Sequence, residues 1–147
     1  VLLDEKKTAG ILVEAVIETD LIKYAFVGIG VNVNNEIPRE IADIATSVSQ
    51  ALGRKVSRVA LMRAILKRLD ELYSKLVYGY SDYIINVWKS LSSTLGRRVI
   101  VYLSEKEKIE GLALDVDNDG SLLIKTGEEE ITKVYCGDIV HLRHSQN

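Results

Sequence analysis

Two apolar segments of this chain carry the residues best suited to binding chemistry, and each contains glycine at interior positions. Residues 7–14 read Lys-Thr-Ala-Gly-Ile-Leu-Val-Glu, and residues 27–32 read Val-Gly-Ile-Gly-Val-Asn. Glycine weakens a strand interior and is typical of places where a ligand or a second backbone approaches closely. The first segment starts with a cation and the second ends with an amide. Together they predict a flat apolar surface for a small ligand with an anionic end.

Two plainer interpretations of these residues are also open. Gly10, Gly28 and Gly30 would also let helices pack closely on a sheet, and Lys7 would also suit a solvated turn. The Gly-Ile-Gly sequence is not a dinucleotide fingerprint, because the third glycine position holds Val33 and no helix is predicted to start there.

The composition excludes several classes of protein. The chain has 147 residues, of which 47% are hydrophobic and 27% charged, which is ordinary for a globular protein with one core or two small ones. A net charge of −2 argues against nucleic acid as the main partner, because phosphate binding needs a basic face. No apolar run is long enough to span a membrane. The single cysteine excludes an internal disulfide framework and predicts a cytoplasmic location.

Hydrophobic periodicity predicts how these segments are positioned. Residues 9–17 and 21–33 read as two antiparallel strands joined by a polar tip. Apolar stripes at helical spacing then predict three core-facing helices, over 38–53, 57–79 and 83–91. The first half of the chain is therefore a sheet-and-helix domain, which we assign to residues 1–94.

After Gly96 the hydrophobic period changes to two. Five short strands are predicted, over 97–103, 108–116, 121–125, 130–135 and 139–143. So many short antiparallel strands in roughly fifty residues predict a small SH3-like barrel, which we assign to residues 95–147. The fold class is therefore α+β: an antiparallel or mixed sheet packed with helices, followed by the barrel.

No metal site is predicted. Residues 115–120 read Asp-Val-Asp-Asn-Asp-Gly, like the front of a calcium loop, but the twelfth position holds Thr126 and the flanks read as strands. A tight Asp-Gly hairpin is the better interpretation. His141 and His144 lack a third ligand and would face opposite sides of a strand.

Taken together, these segments resemble the carboxy-terminal part of a biotin–protein ligase, or biotin–[acetyl-CoA-carboxylase] ligase. The resemblance covers essentially the whole chain and depends on the order and spacing of several short matches. These include Trp88 and residues 7–14, 28–34, 45–48, 95–98, 117–123 and 137–143. The resemblance implies a class II synthetase-like catalytic domain followed by an SH3-like domain.

The resemblance also implies an activity and its residues. The family makes biotinyl-5′-adenylate from biotin and ATP, with Mg²⁺, and passes biotin to a lysine of the biotin carrier domain of a carboxylase. It implies that Lys7 is catalytic and that biotin binds to Lys7, Gly10, Ile11, Leu12 and Gly28. It implies that the nucleotide binds to Gly28, Ile29, Gly30, Asn32 and Arg143. For Arg143, an ion pair with Asp138 is an equal alternative.

The sequence departs from the family in what it lacks. The glycine- and arginine-rich loop, the Lys-Trp-Pro-Asn-Asp segment and the DNA-binding domain of repressor-type ligases are absent. We therefore expect roughly the second half of a catalytic domain plus the barrel, without activity alone and without a DNA role. The rival interpretations are a non-catalytic interaction scaffold, half of a split ligase, and a relative of the lipoate ligases.

Partners follow from the same resemblance and from the predicted sheet. A carrier domain could dock by adding a strand to an exposed edge. An open edge also pairs with copies of itself, so we expect a homodimer through the central sheet.

Overall fold

The computed structural model describes residues 1–19 and 21–141 and shows an α+β fold with antiparallel sheets. The predicted fold class is therefore confirmed. The chain divides into two compact units, Val1–Lys67 and Arg68–Asn147, so the second unit takes in more of the helical region than the predicted barrel domain does. Within the described residues, no helix has the length and apolar character needed to cross a membrane.

The first unit is built on a long β-ribbon that the sequence predicted. Its strands are β1 (Leu2–Leu3), β2 (Lys6–Lys7), β3 (Ala9–Glu18) and β4 (Leu21–Val31). Strand β3 pairs antiparallel with β4 along its whole length, with one irregularity between Val16 and Ile17. The short β1–β2 hairpin precedes it, and its turn holds Asp4 and Glu5 at positive φ.

The prediction of one helix over 38–53 is wrong. The structure has a 3₁₀ turn at Arg39–Ile41 and a short helix α1 (Val48–Leu52), with a non-helical segment between them. In that segment Ala45 forms a parallel bridge with Lys7, so the backbone is held extended and cannot continue the helix. Gly53 ends α1 in the left-handed conformation, with φ of 66°, as expected for a helix stop.

The later helices lie where the sequence predicted them. Helix α2 (Arg58–Val77) begins after Ser57, whose Oγ accepts the Ala60 N–H at 3.2 Å, and α3 spans Ser81–Leu91. The apolar stripe of α2 was expected to face a core, but no residue of α2 is buried. That expectation is wrong for the described residues, because none of them covers the stripe.

The second unit contains the buried core of the described chain. Its strands are β5 (Arg98–Tyr102), β6 (Lys108–Val116), β7 (Leu122–Lys125), β8 (Ile131–Val134) and β9 (Asp138–His141). They form one antiparallel sheet in the order β8-β7-β6-β5-β9. Its core residues are Val99, Val101, Ala113, Val116, Leu122, Ile124 and Val134. Ile85 of α3 packs against this core, and Lys89 of α3 bonds the Asp115 carboxylate at 2.9 Å.

The β6–β7 connection is the tight hairpin that the sequence predicted. The Gly120 N–H donates to the Asp117 carbonyl at 2.9 Å, with Gly120 at φ of 83°. The Asp119 carboxylate accepts from Ser121 Oγ at 2.5 Å and from the Ser121 N–H at 3.0 Å. Lys133 Nζ donates to it at 3.1 Å. The Ser121 bonds first, and Lys133 after them, lower the pKa of Asp119 to about 2.

This lowered pKa predicts acid sensitivity of the barrel. A carboxyl group whose pKa is lower in the folded than in the unfolded protein stabilises the folded state at pH values above its unfolded pKa of about 3.9. This stabilisation is lost as the pH falls towards 2, the pKa in the folded state. We expect Asp119→Asn to flatten the fall in urea midpoint between pH 5 and pH 2 relative to the wild type. Asp70→Asn, on α2, is the control. Equal acid slopes for Asp119→Asn and the wild type would contradict the prediction.

Candidate functional site

The β3–β4 ribbon brings the three predicted glycines to one face. Gly10 pairs with Gly30, and Leu12 pairs with Gly28. Paired residues in an antiparallel ladder share a face, and so do residues two apart on one strand. These four residues therefore form a patch with one side chain, that of Leu12, which we call the glycine face.

The glycine face is open. A Cβ built on Gly10 or Gly30 would meet no atom within 4 Å, and one on Gly28 would have only the Leu12 carbonyl oxygen, at 3.8 Å. No described helix packs on these positions. The alternative interpretation, in which the glycines admit closely packed helices, therefore finds no support in the described residues.

Two residues predicted for the same site lie on the other face. Ile11 pairs with Ile29, and strand alternation turns both side chains away from Gly10 and Gly28. Both side chains are exposed. The ribbon therefore separates the predicted ligand-lining residues, and Ile11 and Ile29 offer the glycine face only their backbone.

Lys7 lies at the start of the ribbon and is held there by its backbone. Its N–H donates to the Ile44 carbonyl at 2.8 Å, and its carbonyl accepts the Thr46 N–H at 3.0 Å. Its side chain is exposed, and no described residue forms a hydrogen bond or ion pair with Nζ. The ammonium is therefore free to meet a ligand while the main chain that carries it is fixed.

Asn32 is tied to the same segment from the other strand. Its N–H donates to the Thr8 carbonyl at 2.8 Å, and its carbonyl accepts the Val48 N–H at 2.9 Å. Its Nδ2 donates to the Thr46 carbonyl at 3.3 Å, and its Oδ1 accepts from Asn35 at 3.2 Å. Lys7 and Asn32, which are 25 positions apart in sequence, thus belong to one hydrogen-bonded unit. We call residues 44–48 and their bonds to Lys7 and Asn32 the joint.

The joint contains functional candidates that the sequence reasoning missed. Thr46 and Ser47 are buried, Ser47 completely. Ser47 caps α1 in a capping box with Gln50. The signal was readable, because Ser-x-x-Gln ahead of a short apolar run is the spacing of a capping box. The prediction of one continuous helix over 38–53 left no place for a helix start at Ser47.

A cavity of about 350 Å³ borders the joint. It is lined by Lys6 and not by Lys7, the lysine that was predicted to bind the ligand. Its lining residues are Leu3, Asp4, Lys6, Ile37, Ala42, Ala45, Thr46, Gln50 and Ala51. Lys6 Nζ donates to the Ala42 carbonyl at 2.6 Å. Lys7 does not line this cavity, so the two neighbouring lysines have different surroundings.

The last predicted residue and the metal sites complete the description of the site. Arg143 lies outside the described residues. Within 1–19 and 21–141 there is no cluster of three or more His, Cys, Asp or Glu side chains that could hold a metal ion. What the described site offers is an ammonium, an amide and an open patch of backbone, which suit an anionic ligand with a flat apolar part.

Comparison with known proteins gives the relationship. Residues 94–142 match the family described as Biotin protein ligase C terminal domain. The bifunctional ligase/repressor BirA of Bacillus subtilis is 36% identical over 143 residues, which are 95% of this chain. The biotin–[acetyl-CoA-carboxylase] ligase of Mycobacterium tuberculosis is 30% identical over 139 residues, or 93% of this chain. The chain resembles the carboxy-terminal part of the biotin protein ligases.

Solved biotin protein ligases share the fold. The crystal structure of the Aquifex aeolicus ligase matches 96% of this chain with a TM-score of 0.78 and 32% sequence identity. The same ligase in complex with biotin and ATP matches with a TM-score of 0.76 and 31% identity. The resemblance seen in the sequence is therefore confirmed, together with the SH3-like nature of the last domain.

The match covers only part of each ligase. The chain spans 43% of the Bacillus subtilis relative and 48% of the Mycobacterium tuberculosis relative. It spans 60% of the first Aquifex aeolicus ligase structure.

Proposed function

We propose that this chain works in biotin protein ligation, in which biotin is activated with ATP and passed to a lysine of a biotin carrier domain. The observation that carries the proposal is the glycine face beside the joint. There an exposed ammonium and an open patch of backbone lie on the fold of a ligase that has been solved with biotin and ATP. Biotin and ATP are the substrates in this proposal.

The proposed chemistry has two steps. A biotin carboxylate oxygen attacks the α-phosphorus of ATP, and the bond from that phosphorus to the pyrophosphate oxygen breaks. The neutral amine of the carrier lysine then attacks the acyl carbon of biotinyl-5′-AMP and AMP leaves. Negative charge gathers on the phosphoryl oxygens in the first step, and the ammonium of Lys7, carried on a fixed main chain, stabilises it. The second step depends mainly on positioning of the carrier lysine.

The ribbon supplies the shape of the site in this proposal. Gly10, Gly28 and Gly30 leave the backbone bare, so a flat bicyclic ring can lie against it, with Leu12 as the apolar contact. Asn32 borders the nucleotide, where its Oδ1 has a second lone pair beyond the one that accepts from Asn35.

The described residues do not form a complete binding site for Mg²⁺. They hold no group of three or more His, Cys, Asp or Glu side chains that could bind it, but Mg²⁺ in nucleotide sites is often bound through substrate phosphates and one or two carboxylates.

The carrier domain is proposed to reach the site by strand addition. Strands β3 and β4 form a sheet of two strands in the described structure, so the ribbon has edges that can accept another strand. A second copy of the chain would use the same kind of edge, which supports a homodimer. A chain that sediments as a monomer at high concentration would contradict the homodimer.

Calorimetry with biotinyl-5′-AMP tests the proposal, and Gly28→Val is the decisive variant. A valine side chain would stand on the glycine face, so we expect affinity to fall at least about tenfold. Stability should hold, because the nearest atom to the new Cβ lies 3.8 Å away. Ala25→Val is the matched control, since Ala25 lies on β4 but faces the other way, and it should stay within about twofold.

The outcomes separate the alternatives. Equal binding by Gly28→Val and the wild type would show that the glycine face is not the ligand bed. No heat from the wild type at any ligand concentration would favour the non-catalytic scaffold.

A further inference from the structure

We propose that Ser47 and Gln50 are positioning residues, which hold Lys7 and Asn32 in the geometry that the ligand needs. This inference rests on the proposed function, because it takes Lys7 and Asn32 as ligand-binding residues. It adds two residues to which the family resemblance assigned no role.

The two side chains bond each other's residues reciprocally, and Ser47 Oγ also lies 3.3 Å from Ser49 Oγ. The Ser47 N–H donates to Gln50 Oε1 at 3.2 Å, and the Gln50 N–H donates to Ser47 Oγ at 3.4 Å. Ser47 Oγ also lies 3.2 Å from Gln50 Oε1, to which it donates. Ser47 is fully buried and Gln50 is exposed, so this arrangement holds the backbone at residue 47 through bonds that are partly shielded from water.

The neighbours of Ser47 carry the bonds that reach the site. On one side, the Thr46 N–H donates to the Lys7 carbonyl and the Thr46 carbonyl accepts from Asn32 Nδ2. On the other side, the Val48 N–H donates to the Asn32 carbonyl. The backbone torsions of residue 47 orient the Thr46 carbonyl and the Val48 N–H, which both bond Asn32, and the Thr46 N–H that bonds Lys7 lies one peptide group earlier. The capping box therefore sets where Lys7 and Asn32 lie relative to each other.

Stabilisation of α1 alone does not account for this arrangement. The helix has five residues, Val48–Leu52, and none of them is buried. A helix this short contributes little by itself. The bonds of the capping box converge on Ser47, which is fully buried within the joint, so holding the joint is the better account of them.

The test is a double-mutant cycle between Ser47→Ala and Lys7→Ala, read by calorimetry with biotinyl-5′-AMP. Loss of an N-cap hydroxyl should weaken binding on the order of tenfold. In the Lys7→Ala background the same change should cost less, about threefold, because only Asn32 remains to be positioned. Ser47→Thr, which keeps the hydroxyl, should recover most of the affinity.

Ser57→Ala is the matched control, because Ser57 also caps a helix through its Oγ but touches neither Lys7 nor Asn32. It should bind within about twofold of the wild type. Amide hydrogen exchange gives a second reading: the Thr46 and Val48 amides should exchange faster in Ser47→Ala and not in Ser57→Ala. If Ser47→Ala does not fold, Gln50→Ala replaces it in the cycle.

Three results would overturn the inference. Equal affinity losses with and without Lys7 would show a general structural role. Faster exchange at Thr46 and Val48 with unchanged affinity would show that the joint does not position the ligand. Absence of binding by the wild type would overturn the proposed function as well, which distinguishes that failure from the first two.

Discussion

Replacement of Lys7 by alanine is expected to weaken binding of biotinyl-5′-AMP by about 10- to 100-fold, the range of one hydrogen bond to a charged group. The fold should not change, because the Lys7 side chain is exposed and its backbone bonds to Ile44 and Thr46 remain in alanine. The loss should shrink at high salt, since an exposed charge is screened. Calorimetry at two salt concentrations measures both effects.

The neighbouring lysine provides the control for this experiment. Lys6→Ala removes an equal charge one residue away, but Lys6 lines the cavity and bonds the Ala42 carbonyl. It should bind within about twofold of the wild type, and Lys7→Arg should keep much of the affinity. If Lys6→Ala lost binding and Lys7→Ala did not, the ligand would lie in the cavity and the assignment of Lys7 would be wrong.

The strands could be predicted because their signals are local. Alternating or continuous β-branched residues marked β3 and β4, and Asp-Gly marked the β6–β7 hairpin. The pairing of Gly10 with Gly30 could not be predicted from the short connection, because it depends on the register shift between Val16 and Ile17. A regular register continued from the Glu18–Leu21 pair would place Ile29 opposite Gly10. The separation of Ile11 from Gly10 did follow from strand alternation.

The joint could not be predicted from local patterns. Apolar spacing over 38–53 fits a helix, yet a parallel bridge between Ala45 and Lys7 holds that backbone extended. Such a contact joins residues 38 positions apart in sequence, so tertiary pairing outweighed helix propensity. Only the Ser47–Gln50 spacing gave a local sign of the break.

The apolar stripes show a different limit. The spacing of apolar residues predicts which side of a helix is apolar, and α2 has such a stripe. The spacing does not predict which residues cover that stripe. Within the described residues nothing buries Leu66 or Leu69. The same is true of Lys7, because the sequence does not distinguish its surroundings from those of the neighbouring Lys6.

Gly111→Ala is expected to destabilise the barrel by about 3 kcal/mol, the cost of forcing an extra carbon into a packed core. The new Cβ would overlap the Lys125 carbonyl oxygen and lie 2.6 Å from Ile124 Cγ2. Ile124 is fully buried and Lys125 contributes backbone, so neither can move aside easily. Urea unfolding followed by circular dichroism measures the loss.

Gly127→Ala is the control that separates the effect of packing from the general effect of replacing a glycine by alanine. A Cβ on Gly127 would have Glu130 Cβ as its nearest neighbour, at 3.5 Å, which is an ordinary contact, so its stability should change by less than about 0.5 kcal/mol. Glycine thus has different structural roles in the two units. At Gly111 the missing side chain makes room for a neighbouring strand, whereas at Gly28 nothing described fills the space. A Gly111→Ala variant as stable as Gly127→Ala would show that β6 and β7 separate easily at this point, and the contrast between a packed glycine and a ligand-facing one would fail.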